Sequence, residues 1–268
     1  MHPMLRQAHL NMLAPRVIPV LLLEGRRLVK TIRFAQPRYL GDPMNAVRIF
    51  NQKEVDELIL LDITATEENR GPQFDFIQEI VSEAFMPVCY GGGVQSLAQM
   101  ERLFKLGVEK VSLGSAAAAL PGLVSEAAAA FGSQSVVVCI DHKSRLRGGQ
   151  KVVINRGRRE LAGLPADFAQ AVADAGAGEV LLQSVDRDGT MQGYDLVLLA
   201  EVAARVRTPV VVCGGAGSMA DFSAAIRAGA AGVAAGSMFV FQGRLRAVLI
   251  SYPSRAELAQ FAAAATSP

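Results

Sequence analysis

The chain has 268 residues, of which 51% are hydrophobic and 19% are charged, and its formal net charge is +2. This composition excludes an intrinsically disordered protein, and the small net charge gives no reason to expect nucleic acid or an anionic membrane as a partner. The uncharged stretch 228–243 contains four glycines and is shorter than the roughly 18 apolar residues that a membrane span needs. We therefore expect a globular protein without a membrane span.

Three cysteines, Cys89, Cys139 and Cys213, lie far apart within apolar runs. An odd number of separated cysteines fits buried, reduced thiols better than disulfides or a zinc site. The sequence therefore predicts a cytoplasmic protein with neither a bound metal nor an organic cofactor.

The first eleven residues are polar and unpatterned, so we interpret 1–11 as a loose extension ahead of a barrel domain that spans 12–268. The apolar run 17–23 contains Pro19 and is followed by a Glu-Gly-Arg-Arg segment. A signal peptide would instead have a basic start and a small-residue cleavage site after its apolar core. The run therefore predicts a first strand.

From this run onward, short apolar segments alternate with amphipathic stretches that we predict to be helices. Continuous apolar segments are typical of strands buried on both faces of a parallel sheet. They occupy 17–23, 58–63, 86–90, 110–113, 136–141, 179–184, 210–213 and 232–235. Eight β/α alternations in about 250 residues predict an α/β fold with a single (β/α)8 TIM barrel, and an open doubly wound sheet is the alternative.

An internal repeat favours the barrel. Glycine and serine positions of the first half recur in the second half at a constant offset of 122 residues, and 17–22 maps onto 136–141 at an offset of 119. The recurring positions are Gly92, Gly93, Ser96, Gly107, Gly114 and Ser115, which map onto Gly214, Gly215, Ser218, Gly229, Gly236 and Ser237. Because each repeat holds four β/α units, we predict two fused half-barrels.

The repeat places glycine-rich turns at the C-terminal ends of the predicted strands, where barrel active sites lie. Backbone N–H groups at such turns, with a helix N-terminus beyond them, can hold a phosphate. The first-half cradle comprises Gly92, Gly93, Gly114 and Ser115, and the second-half cradle comprises Gly214, Gly215, Gly236 and Ser237. Tight βα turns also need glycine, but the repetition favours a ligand that carries a phosphate, or a similar group, at both ends.

Four aspartates lie at or just beyond the C-terminal ends of predicted strands, namely Asp62, Asp141, Asp186 and Asp188. A carboxylate at a barrel mouth is a candidate general acid or base, and a loop-capping role is the alternative for all but Asp141. Asp141 is the strongest candidate because it ends an otherwise apolar strand. The repeat places Leu22 at the corresponding position of the first half, and leucine transfers no proton.

A second charged set stands at the N-terminal ends of the predicted strands. It comprises Arg16, Glu57, Lys110 and Glu179, which we call the charged quartet. Two charges of each sign would converge on the N-terminal pore of a barrel. Composition alone favours a ring of stabilising ion pairs, because this end of a barrel usually serves stability.

Several motifs resemble the cyclase subunit of imidazole glycerol phosphate synthase. They are LDITA at 61–65, GGGV at 91–94, FGSQ at 131–134, SVDRDGT at 184–190, GYD at 193–195 and CGGAG at 213–217. The resemblance, over about 12–252, implies a glutaminase partner at the N-terminal face, ammonia passage through the charged quartet, and a doubly phosphorylated substrate at the far face. It also implies that Lys30 and Asp141 are catalytic and that Asp188 and Gly189 join the two cradles in binding phosphate.

The chain departs from this family at three positions. Leu22 stands where the first catalytic aspartate is expected, Gly114 and Ser115 replace an asparagine–threonine pair, and Thr31 replaces a glycine. Other segments resemble the branch that acts in acetamidino modification of surface polysaccharides: LVKTIRF at 28–34, PRYLGDP at 37–43, NQKEVDE at 51–57, FMPVCYG at 85–91, and RAVLISYP at 246–253. That resemblance implies an ammonia-channelling barrel that serves a sugar amidotransferase in O-antigen synthesis.

Three functions remain open. The first is the barrel of a glutamine-dependent system that amidates a nucleotide sugar. The second is the cyclase of L-histidine biosynthesis, with Asp141 carrying the proton transfers, and the third is a non-catalytic barrel that activates its glutaminase. Leu22 counts against the second and the two cradles count against the third, so the sequence favours the first and predicts little or no imidazole glycerol phosphate.

Overall fold

The structure is a computed structural model that describes residues 15–146, 148–243 and 245–266, so the expected extension at 1–11 lies outside the described residues. The strands are β1 (Arg16–Glu24), β2 (Arg27–Ile32), β3 (Ala35–Gly41), β4 (Leu58–Asp62), β5 (Val88–Gly91), β6 (Lys110–Leu113), β7 (Val136–Ser144), β8 (Gln150–Ile154), β9 (Arg159–Glu160), β10 (Glu179–Ser184), β11 (Val210–Cys213), β12 (Gly232–Ala235), β13 (Phe241–Gln242) and β14 (Ala247–Val248). The helices are α1 (Pro43–Lys53), α2 (Phe74–Glu83), α3 (Leu97–Lys105), α4 (Ser115–Ala119), α5 (Pro121–Phe131), α6 (Pro165–Asp174), α7 (Leu196–Arg205), α8 (Met219–Arg227), α9 (Ser237–Val240) and α10 (Arg255–Thr266), with a 3-10 turn at Ser133–Ser135.

Eight of these strands close into a parallel barrel in the order β1, β4, β5, β6, β7, β10, β11 and β12, and β12 pairs again with β1. Helices follow the barrel strands along the chain. The predicted (β/α)8 barrel is therefore confirmed, and the open doubly wound sheet is excluded because the sheet has no free edge in its parallel part.

The structure corrects the expectation that only helices connect the barrel strands. Antiparallel hairpin strands extend the barrel strand that begins each half: β2 and β3 follow β1, while β8 and β9 follow β7. They escaped the sequence analysis because charged and polar residues interrupt the apolar positions of β2 and β8, and because β3 and β9 are largely exposed. The matched placement of the two hairpins supports the half-barrel repeat.

Side chains of β1 alternate between two apolar clusters, as the two-residue period of a strand requires. Val17, Leu21 and Leu23 pack in the larger cluster together with helix residues. Ile18 and Val20 belong to a smaller cluster of strand residues only, which fills the barrel interior. Cys89, Cys139 and Cys213 are free thiols that lie in this interior cluster or pack against it.

Candidate functional site

A cavity of about 370 Å³ opens at the C-terminal ends of the barrel strands, and we call it the mouth cavity. Its lining includes Leu22, Lys30 and Asp141. It also includes all the residues predicted to bind phosphate: Gly92, Gly93, Gly114, Ser115, Asp188, Gly189, Gly214, Gly215, Gly236 and Ser237. The fold thus brings together residues that are scattered over more than 200 positions of the sequence.

The glycine pairs of the two cradles are required by close packing between loops. A Cβ on Gly92 would lie 2.4 Å from the carbonyl oxygen of Asp62, and a Cβ on Gly214 would lie 2.6 Å from that of Ser184. Both glycines also have a positive φ, at 121° and 89°. Tight turn geometry therefore accounts for these two glycines by itself, and phosphate binding needs support from other groups.

Such support comes from hydroxyl groups at the mouth cavity. The hydroxyls of Ser112 and Ser237 are buried, line the cavity and have no hydrogen-bond partner among the described residues. A buried hydroxyl without a partner is costly, so a polar ligand in the cavity would lower the free energy of this arrangement. In the first-half cradle, Ser115 accepts a 3.0 Å hydrogen bond from the backbone N–H of Asn155.

Asp141 lines the mouth cavity, and the pKa of its carboxyl group is raised. Burial raises the pKa of Asp141 to about 7, a hydrogen bond from Cys139 lowers it, and the nearby charge of Asp188 raises it. The thiol of Cys139 lies 3.5 Å from Oδ1 of Asp141. A carboxyl group with a pKa near neutrality can both donate and accept a proton at physiological pH.

Leu22 occupies the corresponding place on β1. It pairs with Val29 of the first hairpin and Leu61 of β4, just as Asp141 pairs with Val153 of the second hairpin and Gln183 of β10. Leu22 is buried within the interior apolar cluster and also lines the mouth cavity. The mouth therefore presents one carboxylate where a symmetric barrel would present two.

Lys30 extends from the first hairpin to Asp188 on the opposite side of the mouth. Its Nζ lies 2.8 Å from Oδ1 of Asp188, whose other oxygen accepts a 2.7 Å hydrogen bond from the Thr31 hydroxyl. All three residues are buried. The side chain of Lys30 passes so close to Gly236 that a Cβ there would lie 2.9 Å from Cε. The carboxylate of Asp188 thus fixes the position of the first hairpin through Lys30 and Thr31. A ligand in the cavity would contact Lys30 next to this carboxylate.

The other two aspartates act in loop structure. Asp62 accepts hydrogen bonds from the backbone N–H groups of Thr64 and Ala65 and forms an ion pair with Arg70 at 2.8 Å. Asp186 accepts a 2.7 Å hydrogen bond from the backbone N–H of Ser144 and does not line the mouth cavity. The geometry supports the loop-capping alternative for both residues.

The charged quartet comes together at the N-terminal end of the barrel. Arg16 contacts both Glu57 and Glu179, and Nζ of Lys110 lies 2.8 Å from Glu57 and 3.4 Å from Glu179. Burial would lower the pKa of Arg16, but the charges of Glu179 and Glu57 hold it above its ordinary value. Because both glutamates are buried and the two cations are partly exposed, the quartet forms the floor of the barrel interior.

The sequence analysis missed two arginines at the mouth cavity, Arg156 and Arg159, which come from the second hairpin. The repeat carried no signal for them, because the two hairpins differ in length: β2 and β3 span 27–41, whereas β8 and β9 span 150–160. Within the described ranges, no three or more histidine, cysteine, aspartate or glutamate side chains are grouped so that they could hold a metal ion. None of the helices in these ranges combines the length and the hydropathy of a membrane span.

The sequence matches the histidine biosynthesis protein family over residues 16–246. A Pseudomonas aeruginosa protein with the provisional name imidazole glycerol phosphate synthase subunit hisF2 is 51% identical over 243 residues, which cover 90% of this chain and 97% of that protein. The proteins named imidazole glycerol phosphate synthase subunit HisF in Gluconacetobacter diazotrophicus and Streptomyces coelicolor are 43% and 41% identical, over 86% and 87% of this chain and 89% and 93% of their own lengths. These matches confirm the resemblance at the level of the family, and none of the three names mentions a sugar or an acetamidino group.

Proposed function

The chain belongs to the histidine biosynthesis protein family, and from this premise we propose that it is the barrel subunit of a glutamine-dependent amidotransferase of the imidazole glycerol phosphate synthase type. A glutaminase docks on the N-terminal face and releases ammonia. The ammonia passes the charged quartet and the barrel interior and reaches a phosphorylated ligand in the mouth cavity.

One observation carries this proposal: the charged quartet and Asp141 lie at opposite ends of the same barrel interior. Glu57 directly precedes β4, and Glu179 is the first residue of β10. Asp141 lies where β7 reaches the mouth. An ion-paired floor controls entry of a small polar molecule, and a carboxyl group with a pKa near 7 at the other end serves the reaction that consumes it. If the charged quartet only stabilised the barrel, no titratable carboxyl group would be needed at the other end.

The ligand that fits the mouth carries phosphate at both ends. The two cradles face the same cavity from opposite halves of the barrel, and the second-half cradle includes the unpartnered hydroxyl of Ser237. Hydroxyl and backbone N–H donors are the groups that recognise phosphate without a metal. Lys30 adds a cation between the halves.

The first candidate reaction is the one in the relatives' names, the formation of imidazole glycerol phosphate. In this reading Asp141 alone serves as acid and base, because Leu22 cannot take either role. Removing one positioned proton donor typically slows a reaction by about 10²–10⁴-fold. We therefore expect slow cyclisation that depends on Asp141.

The second candidate is amidation of a nucleotide sugar, with a sugar amidotransferase as a further partner. Leu22 is the observation that favours it, because an apolar side chain at the mouth suits delivery of ammonia more than acid–base chemistry at two carboxylates. We place acetamidino modification second because the names of the relatives favour the first candidate.

Product analysis separates the two candidates. The chain, its glutaminase and glutamine are incubated with the doubly phosphorylated substrate of imidazole glycerol phosphate synthase. The first candidate predicts imidazole glycerol phosphate above the level of an Asp141→Asn control. Equal traces with both proteins would reject it, and restoration of an acetamidino sugar in a strain that lacks this subunit would then establish the second.

A further inference from the structure

The turn of the second hairpin spans the first-half side of the mouth cavity. Nη1 of Arg156 lies 3.0 Å from Glu67, and Nη2 donates a 3.2 Å hydrogen bond to the carbonyl oxygen of Phe34 in the first hairpin. The preceding residue, Asn155, donates its backbone N–H to Ser115 of the first-half cradle. Arg156 is therefore held by contacts to two different loops, and its neighbour Asn155 contacts this cradle.

Positive charge is in excess at this point. Glu67 is shared by two guanidinium groups, because Arg158 also lies 2.9 Å from it. Arg159 lines the cavity and has no ion pair among the described residues. One carboxylate cannot neutralise two guanidiniums, so this side of the mouth retains capacity for an anion.

The bond between Asn155 and Ser115 also orients a donor. A serine hydroxyl has one hydrogen and two acceptor lone pairs. Since the N–H of Asn155 occupies one lone pair, the hydrogen of the Ser115 hydroxyl points elsewhere, and Ser115 lines the cavity. The second hairpin thus prepares Ser115 to donate to a ligand.

We propose that Arg156 binds the phosphoryl group of the ligand that lies in the first-half cradle, with Ser115 as its partner donor. A guanidinium presents paired N–H groups that match two phosphate oxygens, which makes it a better fit than a point charge. The inference rests on the proposed function, because it takes a phosphorylated ligand as given.

The two halves of the mouth differ in the cationic side chains that are available to a bound phosphate. Of the first-hairpin residues that line the cavity, Phe34 carries no charge and Lys30 is paired with Asp188. The first-half cradle therefore holds its phosphate more tightly than the second-half cradle. This asymmetry fixes the direction in which a ligand with two unequal ends enters the site.

Titration with inorganic phosphate tests this inference, followed by the amide resonances of Gly114 for the first half and Gly236 for the second. For Arg156→Gln we expect binding at the first half to weaken at least about tenfold, as for loss of a charge-assisted hydrogen bond, and binding at the second half to stay unchanged. Arg158→Gln is the matched control, because it removes a contact to the same Glu67 from a side chain that does not line the cavity. Glu67→Gln breaks the loop contact but leaves Arg156 in place.

The inference is overturned if Arg156→Gln binds phosphate at the first half as well as the wild type does. It is also overturned if Arg156→Gln, Arg158→Gln and Glu67→Gln all weaken binding equally, since Arg156 would then only hold the loops together. Absence of phosphate binding at both halves of the wild type would instead reject the phosphorylated ligand of the proposed function.

Discussion

Leu22 and Asp141 occupy corresponding positions in the two halves of the barrel, 119 residues apart in the chain, and both line the mouth cavity. Each faces a valine of its own hairpin across an antiparallel pair. The two halves therefore present a titratable side chain at one of these positions and an apolar side chain at the other. Any proton transfer by these two positions has to be carried by Asp141.

Replacing Asp141 by asparagine should abolish most of the chemistry at the mouth. Asparagine preserves the shape and removes the titratable group, so we expect product formation to fall by about 10²–10⁴-fold. Asp186→Asn serves as the control, because Asp186 accepts a backbone hydrogen bond outside the cavity lining. Equal activity of Asp141→Asn and the wild type would show that Asp141 transfers no proton.

The same variant should change how stability depends on pH. The pKa of Asp141 is raised to about 7 in the folded protein, from about 4 in an unfolded chain, so folding favours the protonated form. Its contribution is fully present below pH 4 and is lost as the pH rises through 7. In urea unfolding at pH 8, Asp141→Asn should exceed the wild type in free energy of unfolding by about 1–3 kcal/mol, and the difference should shrink towards pH 4. A constant difference between pH 4 and 8 would contradict this.

Restoring the missing carboxylate tests the first candidate reaction. Leu22→Asp should raise the rate of imidazole glycerol phosphate formation at least about tenfold, while the polar group in the apolar interior costs about 2 kcal/mol of stability. Leu22→Asn has nearly the same shape and polarity but no titratable proton. If both variants change the rate equally, the effect of Leu22 is steric.

Single hydroxyl deletions should weaken the two phosphate cradles independently. Ser237→Ala removes an unpartnered hydroxyl from the second half, whereas Ser115→Ala removes the hydroxyl that Asn155 orients in the first half. Each should weaken phosphate binding at least about tenfold in its own half, since a hydrogen bond to a charged group contributes about 1.5–3 kcal/mol. Isothermal titration with phosphate, combined with the amide shifts of Gly114 and Gly236, measures this. Loss of binding in both halves from one variant would mean that the cradles are not separate.

Much of the fold followed from the sequence because the barrel strands are continuous apolar runs. The predicted bounds of β6, β10, β11 and β12 agree with those observed, since these strands are apolar runs and three of them, β6, β11 and β12, are followed directly by glycine. The two hairpins were not foreseen. The strands β3 and β9 carry exposed polar residues. The strands β2 and β3 are joined through Arg33 and Phe34, which adopt a positive φ without the glycine that usually signals such a turn.

The candidate site could likewise be predicted only in part. Residues at strand ends, such as Asp141 and the cradle glycines, could be placed because the repeat and the barrel topology bring strand ends together. Contacts made by hairpin side chains could not, because they depend on how far each hairpin leans over the mouth. Arg156 and the burial of Lys30 against Asp188 both belong to this second kind.

Transfer of nitrogen through the barrel is the central claim, and isotope tracing tests it most directly. The complex with its glutaminase is supplied with amide-¹⁵N glutamine in the presence of excess unlabelled ammonium, and the label in the product is measured for the wild type, for Lys110→Met and for Lys105→Met. Lys105 forms an exposed ion pair with Glu101, so it controls for loss of a surface charge. We predict that the wild type and Lys105→Met retain most of the label, and that Lys110→Met loses it while glutamine hydrolysis continues. A wild-type product that carries only the nitrogen of the bulk ammonium would contradict the account.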